Sequence, residues 1–197
     1  MTNRREFLEV AAALSAAPLA GRIAFANARE HPALSAVIFD SRHPEARDFG
    51  ARAGLQGVPL RAIEGDITLL WRNELLALWK AAPNAIAGLT ECPALFLLER
   101  LAWDHGLRVM FAAEHEPHGS GDAAHRVIRT ADSGFGCELE AAGRSWPSVL
   151  ADALVTGRLA SSTDFRPTDT GLAAHLGAPM VLHSWIIAPR TAARVEI

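Results

Sequence analysis

His115-x-x-His118, with His125 and Cys137 downstream, offers imidazole and thiolate within one short region. Those are ligand types for zinc or copper, so His115, His118 and His125 are the candidate metal ligands. Neither H-E-x-x-H nor C-x-x-C occurs. Flanked by Glu114 and Glu116, His115 is alternatively an acid–base group or half of an ion pair. Cys92 stands near a predicted helix start, where the helix dipole lowers a thiol's pKa and favours nucleophilic or proton-abstracting chemistry. A second set of candidates recurs where apolar runs end: Asp40, Ser41 and Arg42; Asp66; Thr90, Glu91 and Cys92; and His115. These types suit ligand binding, and Asp40, Asp66, Cys92 and His115 suit acid–base work.

The elements that must position these groups follow from apolar patterning. Ala36–Phe39, Val58–Ile63, Ala85–Leu89 and Arg108–Ala113 read as strands. Helices are expected between them. The first starts at His43-Pro44-Glu45, with Pro in the first turn and Glu at the positive end. The second is Ile67–Ala81, N-capped by Asp66, with Trp71, Leu75 and Trp79 on one face. The third runs from about Pro93 to His105. Strands alternating with helices predict a parallel sheet with right-handed crossovers, in the flavodoxin-like order 2-1-3-4. The strand ends then gather on one rim, where open α/β sheets bind ligands. Further on, His125–Thr130 and Phe135–Ala141 read as a hairpin about 131–134. Trp146–Thr156 reads as a helix, 158–177 as a long loop, and Met180–Ala188 as a final strand. The expected fold is therefore α/β: three layers around a mostly parallel sheet, extended by the hairpin and the last strand.

Composition narrows the function. Half of the 197 residues are hydrophobic and 21% are charged, as in a globular chain, and the net charge is −3. No basic block is present, which argues against nucleic acid as a partner. The chain has no Tyr, which removes one general acid. No G-x-G-x-x-G and no G-x-x-x-x-G-K-S follows a strand, so nucleotide binding in the usual mode is not expected and no cofactor is identified. An anion would have to sit on the helix starts after Asp40, Asp66 or Thr90, with help from Arg42. His118-Gly119-Ser120-Gly121 is not a serine-hydrolase elbow.

Two resemblances add to this reading. Asn3-Arg4-Arg5-Glu6-Phe7-Leu8, followed by an Ala-rich run to Gly21, resembles the twin-arginine export signal. Glu9 departs from the basic residue frequent there. Ala24-Phe25-Ala26 and Ala26-Asn27-Ala28 suit signal peptidase. The resemblance implies a signal peptide over 1–28, a mature α/β domain over 29–197, the twin-arginine machinery as a partner, and a periplasmic protein exported already folded. The apolar run is short for a membrane span, so the mature form is expected to have none. Val37-Ile38-Phe39-Asp40-Ser41 looks like the opening of cofactor-independent glutamate racemases, which use an Asp-Ser pair and two Cys. Cys92 and Cys137 would be that pair here. Arg42 departs from the family's Gly, and the chain is too short for its two similar domains. In an oxidising compartment the same two Cys would instead pair as a disulfide, worth about 3–4 kcal/mol for such a loop. Both as buried thiols is the other alternative.

The leading expectation is an exported protein that binds a small ligand or a partner protein at the carboxyl rim of its sheet, as an accessory factor to a redox system. The alternatives are a racemase-like or isomerase-like acid–base enzyme using Asp40, Cys92 and His115, and a metal-binding protein.

Overall fold

Strand β1 (Ala36–Asp40) and strand β3 (Ile86–Glu91) are buried almost throughout, as strands covered on both faces must be. They run parallel, with Val37 beside Ala87 and Phe39 beside Leu89. Strand β2 (Leu60–Ile63) is parallel to β1 on its other side and forms one sheet edge. The computed structural model describes residues 34–118, 121–129, 132, 134–159 and 180–189. The expected signal segment 1–28 and the expected loop from 160 to 177 lie outside the described residues.

The helices between these strands form for local reasons. Helix α1 (Pro44–Leu55) has Pro at its start and Glu45 in its first turn, and it buries Ala46, Phe49 and Ala53. Helix α2 spans 68–81 and is continuous, with a π turn over Trp71–Leu75. Asp66 Oδ1 accepts the Thr68 N–H at 2.8 Å, but the N-cap is Ile67, one residue after the expected Asp66. The rings of Trp71 and Trp79 meet edge-on at 5.5 Å, and His105 lies against both, so these aromatics are packing groups. Helix α3 (Cys92–Trp103) follows β3 directly and buries Leu95, Leu98 and Ala102.

Among the described residues the sheet has six strands in the order β2-β1-β3-β6-β4-β5. This departs from the flavodoxin-like order, because β6 (Leu182–Pro189) lies between β3 and β4 (Leu107–Pro117) and is antiparallel to both. The physical reason is burial. Every residue of β6 before Pro189 is buried, so the strand needs a neighbour on each side and a helix layer on each face. The sheet is therefore mixed: parallel over β2, β1 and β3, antiparallel over β3, β6, β4 and β5. Since β6 opposes both neighbours, β4 still points the same way as β1, β2 and β3, and their carboxyl ends share a rim.

Two segments differ from expectation. Strand β4 runs on through Glu114, His115 and Glu116 because β5 (Ala123–Arg129) pairs with it as a hairpin. The segment expected as the hairpin's second strand is instead helix α4 (Phe135–Ala142). Phe135 and Leu139, four residues apart, are fully buried, while Cys137 and Ala141 are exposed. The period is helical, and Glu138, Glu140 and the alanines favour it. A 3₁₀ turn (Gly143–Ser145) leads to helix α5 (Trp146–Val155).

Helices α1, α4 and α5 cover one face of the sheet, over Val37, Leu89, Phe111 and Ile186. Helices α2 and α3 cover the other, over Ile38, Ile86, Ala112 and Trp185. Among the described residues no helix is long and apolar enough to cross a membrane.

Candidate functional site

Strand β1 ends at Asp40, which is fully buried. A carboxylate there needs partners, and Arg42 supplies them. Its Nε donates to Oδ1 at 2.9 Å, its Nη2 to Oδ2 at 2.6 Å, and its backbone N–H to Oδ1 at 3.2 Å. Burial opposes the charge on Asp40. The hydrogen bonds and positive charge of Arg42 outweigh it and hold the carboxyl below its ordinary pKa. The same Nη2 lies 2.9 Å from Glu91 Oε2, at the end of β3. His43, almost wholly buried, puts Nε2 2.9 Å from Glu91 Oε1 and 3.9 Å from Asp40 Oδ2. Past the end of β2, Gly65 makes room for the guanidinium: a Cβ there would lie 2.6 Å from Arg42 Cζ.

A row of polar groups continues from this cluster across the sheet. Thr90 follows the last β1–β3 pair, Phe39 with Leu89. It is in register with His183 on β6, His183 with Glu114 on β4, and Glu114 with Arg126 on β5. Side chains alternate along a strand, so these groups share the face of Ile38, Ala112 and Trp185, under α3. Thr90, His183 and Glu114 are buried. His183 Nε2 is 3.6 Å from Glu114 Oε1, and Arg126 Nε donates to Glu114 Oε2 at 2.8 Å. Trp185 Nε1 donates to Thr90 Oγ1 at 3.1 Å.

Cys92 begins α3 beneath this row. Its thiol is not activated as expected. Burial, and then the negative charge of Glu114, push its pKa up, against the pull of the helix start. Cys92 and Cys137 form no disulfide. They belong to helices on opposite faces of the sheet, α3 and α4, so neither the racemase-like pair nor the bridge is assembled.

His115 also departs from expectation. It lies inside β4 and is fully buried, and its parity with Phe111 and Ala113 turns it to the opposite face from Asp40. Its Nδ1 is 2.8 Å from His125 Nδ1 and its Nε2 is 2.7 Å from Ser184 Oγ. The Trp146 ring stacks on it at 4.6 Å. Burial, then the neighbouring His125 and His183, hold His115 well below its ordinary pKa, and burial lowers His125 to about 4. Both rings are neutral at pH 7.

The structure thus gathers Asp40, Arg42, Thr90, Glu91 and Cys92 around one end of β1 and β3. Ser41 is committed to the sheet, its hydroxyl donating to the Ile63 carbonyl at 3.0 Å. Asp66 is exposed and accepts the Thr68 N–H just before α2. His118 is exposed at the hairpin bend, where its N–H donates to the Asp122 carbonyl at 2.7 Å. Among the described residues, Asp40, His43 and Glu91 offer ligand atoms that all lie within 4.8 Å of one another, and His115, His118 and His125 form no such group. His43 and His183 were missed in the sequence. His43 reads there as a helix start, and the one signal of His183 is a polar residue inside the apolar run 180–188.

Comparison of the chain with protein-family models, curated proteins and solved structures gives no match.

Proposed function

We propose that this protein is exported by the twin-arginine route to the periplasm and binds a small polar molecule at the carboxyl rim shared by β1 and β3. Export rests on the resemblance of residues 3–8 to the twin-arginine signal; binding is supported by the ion cluster at that rim, in which Arg42 and Glu91 keep 43% and 33% of their side chains exposed above a buried Asp40. Strand β1 feeds α1 and then β2 on one side, while β3 lies on its other side. Open α/β sheets take ligands at that crevice. Fixed carboxylates, a guanidinium and an imidazole match a ligand carrying hydroxyl, amine or acid groups. An accessory role beside a redox enzyme rests on the export signal alone. The acid–base alternative has less support, because Asp40 and His115 face opposite sides of the sheet.

The test is a thermal-shift and NMR screen of residues 29–197 against amines, sugars and small acids. A true ligand perturbs resonances of residues 40–43 and 90–92, and R42A or E91Q abolishes the response. Perturbation elsewhere, or ligand responses indifferent to both variants, rejects the site. Export is tested separately: replacing Arg4 and Arg5 together by Lys should hold the protein in the cytoplasm.

A further inference from the structure

We propose that Asp40, His43 and Glu91 bind a divalent first-row transition-metal ion, with Arg42 as the cation it displaces. This rests on the reading of the β1–β3 rim as the binding place and adds an inorganic anchor to it. Two ligands come from one junction, Asp40-x-x-His43, where β1 turns into α1. The third comes from the end of the neighbouring strand. Asp40 and His43 are buried, so their donor atoms are fixed in place, and Glu91 closes the set from the open side.

The distances fit an ion. A metal about 2.0–2.2 Å from each donor keeps neighbouring donors about 3–3.5 Å apart. His43 Nε2 is already 2.9 Å from Glu91 Oε1 and 3.9 Å from Asp40 Oδ2, and all three atoms fall within 4.8 Å. One imidazole with two carboxylates suits Zn²⁺, Mn²⁺, Fe²⁺ or Co²⁺ better than a soft thiophilic ion. The carboxylates already share one cation: Arg42 Nη2 touches Asp40 Oδ2 at 2.6 Å and Glu91 Oε2 at 2.9 Å. That guanidinium is half exposed on the open side, so it can swing into water as a metal enters. Glu91 and the solvent side leave coordination positions for water or for a chelating ligand.

The experiment uses the purified full chain, dialysed against chelator and titrated calorimetrically with Zn²⁺, Mn²⁺ and Co²⁺, with the visible spectrum of bound Co²⁺ as second readout. The proposal expects one equivalent bound. H43A and D40N weaken it by about tenfold or more, as loss of a ligand should. R42Q tightens it, because the competing cation is gone, and a gain of affinity cannot come from misfolding. Absence of stoichiometric binding overturns the proposal. So does binding that survives H43A but is lost in H125A, and so does weaker binding in R42Q. The small-molecule screen is run with and without metal. A ligand that binds the metal-free rim, with no metal bound in any titration, rejects the metal and keeps the rim. Metal bound with no ligand response at the rim does the reverse.

Discussion

His115 and His125 meet Nδ1 to Nδ1 at 2.8 Å, so one nitrogen must donate and the other accept. A second proton between them has no place to go. Both rings titrate below the ordinary histidine value of 6.5. Above pH 6.5 the folded and unfolded chains both hold them neutral, and their full contribution to stability is present. As pH falls from 6.5 toward about 4, where His125 titrates in the fold, the unfolded chain takes up protons that the folded chain refuses. The unfolding free energy from urea titrations should therefore fall across that window, by at most about 1.4 kcal/mol per pH unit per histidine, and the urea midpoint with it. H125Q should flatten the drop. A midpoint unchanged between pH 7 and 5 would contradict the neutral pair.

Gly88 lies in β3 where two neighbours close in. A Cβ there would fall 2.4 Å from Trp185 Cζ2 and 2.7 Å from the Ile38 carbonyl oxygen. G88A should cost about 1–3 kcal/mol or more in chemical denaturation. Adding W185F should recover only part of this, because the Ile38 oxygen is backbone and cannot retreat. A neutral G88A would mean that β1, β3 and β6 pack less tightly than these distances require.

The two thiols should separate cleanly. Cys137 is exposed, whereas Cys92 is buried with its pKa raised. In the native protein at pH 8, Ellman's reagent should titrate Cys137 rapidly and reach Cys92 only on unfolding. C137S should leave only the slow phase. Two fast thiols, or none under reducing-agent-free denaturing conditions, would contradict the arrangement.

Asp40 gives a graded case. Removing one partner of a buried ion pair costs about 3–5 kcal/mol when the other charge stays buried. Arg42 is half exposed and can turn to water. D40N should therefore cost only about 1–3 kcal/mol, the range for losing hydrogen bonds to a charged group. Calorimetric unfolding measures it. A larger loss would show that Arg42 cannot leave its place over Gly65.

What could be read in advance follows from which forces are local. The strand ends were legible, because the apolar runs give way to polar residues at Asp40-Ser41-Arg42 and Thr90-Glu91, where β1 and β3 end, although Asp40 and Thr90 themselves stay buried. The place of β6 was not. Its run LHSWIIAP announces burial on both faces but names no partner strand. Helix α4 was misread because Phe135 and Leu139 fit a period of two as well as a helical turn, and only packing decides between them. Cys92 was misjudged because the helix start is visible in sequence, while burial and the nearness of Glu114 come from the fold. His183 was hidden by its apolar neighbours, and its row with Thr90 and Glu114 exists only once three distant strands align.

The insertion of β6 has a kinetic consequence. The other strands among the described residues emerge from the ribosome earlier, yet β3 and β4 have no bridge until this one arrives. The Trp185–Thr90 hydrogen bond alone spans 95 positions. Contacts so far apart in sequence slow the search for the native state, toward the millisecond-to-second range seen for non-local topologies. Until β6 docks, the β3 flank of Ile86–Glu91 and the β4 flank of Leu107–Pro117 remain open ladders, each able to recruit a foreign chain. Nascent copies therefore stay exposed to aggregation until β6 has left the ribosome and docked between β3 and β4.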